Sequence, residues 1–198
     1  MIEFKFGIPI KTIDISDDIK DAVLSETSEV ANKHRSGELS NPWSSNILST
    51  FSWDTEKVNV IADECPLLKR FVYSSINEFL NELQVTPQYR MINVDESWLN
   101  YSKKGMYQEF HMHPEADISG VFYIAGDSNS GDIQFTTPSP THAYHGLTHR
   151  SSLLRPQATY SPLPGRLLLF PSYLEHMVMA NKNEEERISI ALNVKLIG

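Results

Sequence analysis

Residues 164–176 read PGRLLLFPSYLEH, one of several short apolar segments bounded by turn residues in the second half of the chain. Pro164-Gly165 predicts a turn, the apolar run 167–170 predicts a short buried strand, and Pro171-Ser172 predicts its end. His176 then opens the next strand. We therefore expect this histidine to lie beside a site rather than within the apolar core.

Short segments of the same kind follow one another from residue 91 onward, separated by clusters of Gly, Pro, Asn or Asp. Several short strands without intervening helices are typical of an antiparallel sandwich or barrel. The long segment Thr136–Tyr160, rich in Pro, Ser, Thr and His, predicts a loop that acts as a lid or is disordered. The predicted strands are Met91–Tyr101, Ser119–Ala125, Asp132–Phe135, Arg166–Phe170 and Arg187–Leu196.

The first 90 residues show helical patterns instead. Ser16 before two Asp residues predicts a helix start, and Pro66 begins an amphipathic pattern with apolar residues three and four apart. Residues 37–52 predict a loop. We therefore expect a single domain over residues 1–198, in which residues 1–90 form a helical support layer and residues 91–198 form the β core with the metal site.

The composition and net charge of the chain limit the partners and cellular locations that we expect for it. The net charge of -8 argues against duplex nucleic acid as a partner, because binding to phosphate backbones needs clustered Lys and Arg. Cys65 is the only cysteine, so no intramolecular disulfide is expected and a reducing cytoplasm is the expected location. Charges interrupt the N-terminal apolar residues, and no long apolar stretch predicts a membrane span. The sequence leaves the oligomeric state open.

Two histidine motifs and one arginine are the candidate site residues. His111 and His113 share one side of a strand, because strand side chains alternate with period two, and paired imidazoles suit a transition metal. Arg187 and Ser189 likewise share one face of the last strand. An inward-facing Arg needs an anion, and its fork matches a carboxylate. Alternatively, Arg187 pairs with the acidic run 184–186 at the surface.

The histidine motifs and the Arg-x-Ser motif together are more specific than any one of them alone. Gly-x-Tyr-x3-His-x-His at residues 105–113, followed by His-x10-Arg-x-Ser at residues 176–189, resembles the 2-oxoglutarate/iron(II)-dependent dioxygenase superfamily. The motifs at 111–114, 119–123 and 170–172 are similar to those of an oxygenase subgroup in marine bacteria and cyanophages. The resemblance implies a double-stranded β-helix, a cupin-like jelly roll, that binds Fe(II) as cofactor. It also implies 2-oxoglutarate and dioxygen as cosubstrates, with succinate and CO2 released as an unknown substrate is hydroxylated.

Carried over to this sequence, the resemblance makes His111 the first iron ligand and His176 the distal one. Arg187 would bind the far carboxylate of 2-oxoglutarate with support from Ser189. Tyr123 falls where prolyl-hydroxylase-like relatives place a tyrosine that bonds the same carboxylate, and Tyr101 is a second candidate for that role.

One position departs from the superfamily pattern, because His113 stands where the relatives carry Asp or Glu. Three neutral histidines leave the metal site one unit more positive than two histidines and a carboxylate. His113 could itself be the third ligand, Asp117 or Glu115 could supply a carboxylate from the following loop, or water could fill the position. We expect His113, and Asp117 as the alternative.

Two other functions remain possible from the sequence. One is a cupin-like three-His metalloenzyme that does not use 2-oxoglutarate, and the other is a non-catalytic metal-binding β-sandwich module. Arg187 with Ser189 distinguishes them, because only a keto-acid cosubstrate requires that anion pocket. Among the remaining side chains, three tryptophans are expected to anchor the helical layer or line a substrate cleft, and three histidines are expected to be solvent-facing or lid residues. These are Trp43, Trp53 and Trp98, and His142, His145 and His149.

Overall fold

The computed structural model describes residues 7–52, 58–85, 91–139, 146, 150–151 and 154–198. The helices are α1 (Asp17–Arg35), α2 (Val60–Glu64) and α3 (Pro66–Glu82). The strands are β1 (Lys11–Asp14), β2 (Leu48–Ser49), β3 (Met91–Ser102), β4 (Gln108–His111), β5 (Ile118–Ala125), β6 (Ile133–Thr136), β7 (Gln157–Tyr160), β8 (Arg166–Pro171), β9 (His176–Val178) and β10 (Arg187–Ile197).

These strands form two antiparallel sheets. The six-stranded major sheet has the order β1-β8-β5-β10-β3-β2, and the four-stranded minor sheet has the order β4-β9-β6-β7. Side chains from β5 and β8 of the major sheet pack against side chains from β6 and β9 of the minor sheet. The strand pattern predicts an antiparallel sandwich, and this two-sheet arrangement is the jelly roll that the resemblance implies.

Strand β8 shows how a continuous apolar run is buried on both faces. Leu167 and Leu169 belong to the core that the major sheet shares with the helices, whereas Leu168 and Phe170 belong to the core between the two sheets. The alternation of strand side chains places successive residues in different cores. The major sheet is therefore a central layer, with helices on one side and the minor sheet on the other.

The two long helices form the outer layer, and each begins where the sequence predicts a helix start. α1 begins directly after Ser16, and α3 begins with Pro66 at its first turn. Their buried residues lie on one face, including Val23 of α1 and Leu68 and Ile76 of α3. None of the helices within the described residues has the length and apolarity needed to cross a membrane.

The sequence patterns miss three strands. β1 pairs with β8, β2 pairs with β3 inside the predicted loop 37–52, and β7 pairs with β6 inside the predicted loop Thr136–Tyr160. These are edge strands of two to four residues, too short for an alternation to be recognised. His142, His145, His149 and Trp53 lie outside the described residues.

Candidate metal and cosubstrate site

Three histidine rings meet at one end of the space between the sheets. His111 and His176 lie directly opposite each other in the β4–β9 pair, and their ring centroids are 4.3 Å apart. His113 follows in the next turn, with its ring centroid 5.2 Å from His111 and 5.3 Å from His176. One ring nitrogen of each lies within 4.8 Å of those of the other two, which makes the cluster a candidate metal site.

The three rings are neutral at physiological pH. Burial, together with the neighbouring His111, lowers the pKa of His176 to about 3 and that of His113 to about 4. Burial also lowers the pKa of His111. Neutral imidazoles retain the lone pair that a metal requires, so the cluster does not need to lose protons before it binds an ion.

Backbone carbonyls orient two of the rings. The Nδ1 atom of His111 lies 2.7 Å from the carbonyl oxygen of Glu109, and the Nδ1 atom of His176 lies 2.9 Å from that of Leu174. A carbonyl oxygen only accepts, so Nδ1 carries the proton in both rings and Nε2 carries the lone pair. This arrangement is typical of metal-binding histidines.

A cavity runs from the histidine cluster to Arg187 between the two sheets. The cavity is partly open to solvent. Besides the three histidines, its lining includes Trp98, Asn100, Gln108, Tyr123, Arg187 and Ser189. The candidate metal ligands and the candidate anion-binding residues therefore share one cavity.

Arg187 lies at the far end of this cavity and is only 3% exposed. Its Nη1 donates to the carbonyl oxygens of Ser130, Gly131 and Met179 at 2.8, 2.9 and 3.2 Å, and its Nη2 donates to the hydroxyl of Ser102 at 2.8 Å. Burial lowers its pKa to about 10, so the guanidinium remains charged at neutral pH. No carboxylate among the described residues pairs with it, which leaves a buried positive charge without a counterion.

Gly131 makes the carbonyl cradle around Arg187 possible. Its φ is +85°, and an added Cβ would collide with the carbonyl oxygen of Met179. Only glycine adopts this conformation without strain and without steric conflict. The turn that orients two of the carbonyls toward Nη1 therefore depends on this residue.

Ser189 and Tyr123 line the cavity between Arg187 and the histidines. They are cross-strand partners in the β10–β5 pair, and both are buried. Burial raises the pKa of Tyr123, so its hydroxyl stays protonated and can donate a hydrogen bond. The structure thus brings together Arg187, Ser189 and Tyr123, as the resemblance predicts.

The prediction that Tyr101 binds the cosubstrate is wrong. Its hydroxyl donates to the carbonyl oxygen of Ala31 in α1 at 2.6 Å, and its ring belongs to the core under the helices. Tyr101 pairs with Ile188, whereas its neighbour Asn100 pairs with Ser189. Strand alternation therefore places Asn100, not Tyr101, in the cavity.

The carboxylates that could replace His113 lie outside the cluster. Asp117 is exposed, and its Oδ2 accepts a hydrogen bond from the backbone N–H of Leu196 at 2.8 Å. Glu115 is exposed as well. Within the described residues, the three histidines are the only group with metal-ligand spacing.

Several cavity residues escape prediction from the sequence. Trp98 shares its strand face with Asn100 and its ring centroid lies 5.9 Å from that of His113, whereas Trp43 reaches His111 from a loop at 4.7 Å. The only signal for Trp98 and Asn100 is their even spacing on β3, which becomes informative only once the register with β10 is known. For Trp43 the sequence offers only the general expectation that its tryptophans anchor the helical layer or line a substrate cleft.

The donor set fits both an iron ion and 2-oxoglutarate. Three neutral imidazoles suit a divalent transition metal. A guanidinium has five N–H donors, and the Nε–H and one Nη2–H of Arg187 have no protein acceptor among the described residues. The uncompensated charge and these free donors match a carboxylate at the far end of a short dicarboxylic acid.

Comparison with known proteins agrees with this fit. The family model described as "Putative 2OG-Fe(II) oxygenase" matches residues 96–193, which include all three histidines, Arg187 and Ser189. No curated protein matches the sequence significantly.

Solved structures show the same fold at low sequence identity. A prolyl-4-hydroxylase from Pseudomonas putida is 12% identical with a TM-score of 0.64, and the match covers 96% of this chain and 94% of that one. The epimerase SnoN, solved with Fe3+, alpha ketoglutarate and nogalamycin RO, is 11% identical with a TM-score of 0.65 over 93% of this chain and 78% of that one. HygX from Streptomyces hygroscopicus, solved with nickel, 2-oxoglutarate and hygromycin B, is 10% identical with a TM-score of 0.58 over 95% and 83%. With its family match over residues 96–193 and its jelly roll, the chain belongs to the 2-oxoglutarate/Fe(II)-dependent oxygenases.

Proposed function

We propose that this oxygenase hydroxylates an organic substrate, converting 2-oxoglutarate, dioxygen and a C–H group into succinate, CO2 and the corresponding alcohol. The main support for this proposal is that Arg187 is a buried guanidinium with free N–H donors and lines the same cavity as the histidine cluster. A three-His metalloenzyme without a keto-acid cosubstrate would have no use for an anion site there. A structural metal site would not need a cavity at all.

The proposal assigns two separate roles to the cavity residues. His111, His113 and His176 hold the iron, which when bound supplies dioxygen activation coupled to oxidative decarboxylation of the keto acid. Arg187 receives the distal carboxylate of 2-oxoglutarate, and Ser189 and Tyr123 offer hydroxyl donors beside it. The protein residues thereby fix the keto-acid end of the cosubstrate next to the histidines.

Two tryptophan rings beside the histidine cluster indicate the chemistry of the substrate. The rings of Trp43 and Trp98 flank the histidine cluster, and neither Nε1 has a hydrogen-bond partner among the described residues. Arg187 is the only Lys or Arg among the described residues that line the cavity. We therefore infer that the reacting part of the substrate is an uncharged group with an exposed apolar face, rather than a phosphate or carboxylate.

Turnover without added substrate tests the reaction class. The purified protein with Fe(II), 2-oxoglutarate and oxygen is expected to produce succinate slowly, at a rate that a substrate would increase. His176→Ala should abolish this production. Succinate no higher than the His176→Ala background would contradict the proposal.

A further inference from the structure

The three histidines of the cluster differ in what faces their outer ring nitrogen. His111 and His176 each direct Nδ1 to a backbone carbonyl oxygen, at 2.7 and 2.9 Å. The Nδ1 of His113 instead lies 3.4 Å from the side-chain nitrogen of Asn193. An amide nitrogen only donates, so this contact requires the lone pair on Nδ1 of His113 and the proton on its Nε2.

Two contacts, one buried and one partly buried, fix the orientation of the Asn193 amide. Its nitrogen donates to Oε1 of Glu96 at 2.7 Å, and its oxygen accepts from the hydroxyl of Ser119 at 2.8 Å. Rotating the amide would bring its oxygen against the Glu96 carboxylate, which cannot donate when ionised. Glu96 therefore determines which end of the amide faces His113.

This orientation opposes metal binding by His113. Coordination through Nε2 requires the proton to move from Nε2 to Nδ1, where it would face the Asn193 N–H. Two donors would then oppose each other in a site where Asn193 is 6% exposed and water cannot easily separate them. His111 and His176 need no such change.

We propose that Glu96 and Asn193 are positioning residues that hold His113 in the Nε2–H tautomer and make it the weakest ligand of the three-histidine site. The inference rests on the proposed metal site. It adds that the metal position filled by His113 exchanges its ligand more readily than the positions filled by His111 and His176. When His113 is not coordinated, its Nε2–H is a donor that faces the cavity.

The tautomers can be read directly in the metal-free protein by long-range proton–nitrogen NMR of the histidine rings. The expected result is a proton on Nδ1 in His111 and His176 and on Nε2 in His113. A proton on Nδ1 of His113 would overturn the proposal. This readout does not depend on metal or activity, so it fails or succeeds independently of the proposed function.

Glu96→Gln is the decisive variant because it keeps size and shape. A glutamine amide can donate to Asn193, which allows the Asn193 amide to rotate and present its oxygen to Nδ1–H of His113. Cobalt(II) affinity is then expected to rise, by about 10-fold on the scale of outer-shell effects at metal sites. Loss of a negative charge alone would lower the affinity, so an unchanged or weaker affinity would contradict the role of Glu96.

Two comparisons complete the test. Asp95→Asn removes the same charge from the adjacent position of β3, where Asp95 pairs with Lys195 at 3.3 Å, and should leave cobalt affinity no higher than that of the wild type. His113→Ala should weaken cobalt binding much less than His111→Ala or His176→Ala does. Equal losses for all three would overturn the proposal, whereas no cobalt binding by the wild type would contradict the metal site itself.

Discussion

Arg187 and Ser102 are directly opposite each other in the β10–β3 pair, and Nη2 of Arg187 donates to the Ser102 hydroxyl at 2.8 Å. With three carbonyl oxygens on Nη1, this bond holds the guanidinium in one orientation. The fixed orientation leaves its free N–H donors for the cavity. Ser102 therefore supports the proposed cosubstrate site by holding Arg187 in place.

Ser102→Ala is expected to lower the free energy of unfolding by about 1.5–3 kcal/mol, the range for a hydrogen bond to a charged group. It should also weaken 2-oxoglutarate binding, because the guanidinium loses one of its anchors. Urea unfolding and cosubstrate titration measure the two effects. Ser36→Ala, at an exposed serine, is the control, and equal behaviour of the two variants would contradict this role.

The two buried tyrosines should separate stability from cosubstrate binding. Tyr101→Phe removes the hydrogen bond to Ala31 and is expected to cost about 0.5–1.5 kcal/mol of stability while leaving 2-oxoglutarate affinity unchanged. Tyr123→Phe is expected to weaken 2-oxoglutarate binding. A larger loss of cosubstrate affinity in Tyr101→Phe than in Tyr123→Phe would show that the assignment is reversed.

Gly131→Ala tests the carbonyl cradle of Arg187. The substitution combines an unfavourable positive φ with a collision against Met179, so both stability and 2-oxoglutarate affinity should fall. Gly105→Ala is the matched control, because Gly105 has a φ of +82° with open space where an added Cβ would lie. If the two variants lose equal stability and neither loses cosubstrate affinity, the cradle is not required.

The lowered histidine pKa values predict the acid sensitivity of the metal-free protein. His113 and His176 have pKa values of about 4 and about 3 when folded, against the ordinary value of 6.5 when unfolded. At pH values between the folded and the unfolded pKa, the unfolded chain binds more protons than the folded protein does. The free energy of unfolding should therefore fall as the pH decreases from about 6.5 toward 3. Urea midpoints at several pH values measure this fall, and His113→Gln should show a smaller one. An equally steep fall in His113→Gln would mean that this ring does not contribute.

Much of the architecture follows from local pattern. The helices are predicted by Ser16, Pro66 and their apolar spacing, and the long strands by alternation. The edge strands β1, β2 and β7 cannot be recognised because they are very short and are stabilised by pairing with distant partners. Long-range pairing leaves no periodic signal in so few residues.

The sequence predicts those site residues that belong to recognisable motifs. It does not predict the residues whose placement depends on the register between paired strands. The placement of His111, His113, His176 and Arg187 in one cavity agrees with their spacing. The choice between Tyr101 and Asn100 depends on which face of β3 looks inward, and a shift of one residue exchanges the two. The Glu96–Asn193 contact joins two strands whose pairing the sequence does not reveal.

In the proposed site Arg187 anchors the cosubstrate, and an anaerobic titration of the iron-loaded protein measures that role. Adding 2-oxoglutarate to the Fe(II)-loaded protein should produce a visible metal-to-ligand charge-transfer band that saturates. Arg187→Gln should raise the apparent Kd by about 10-fold or more, because a charge-assisted pair contributes about 1.5–3 kcal/mol. Arg35→Gln, whose arginine pairs with Glu186 on the helical side, should bind like the wild type. No band at saturating iron, or the same Kd for Arg187→Gln and the wild type, would contradict the claim.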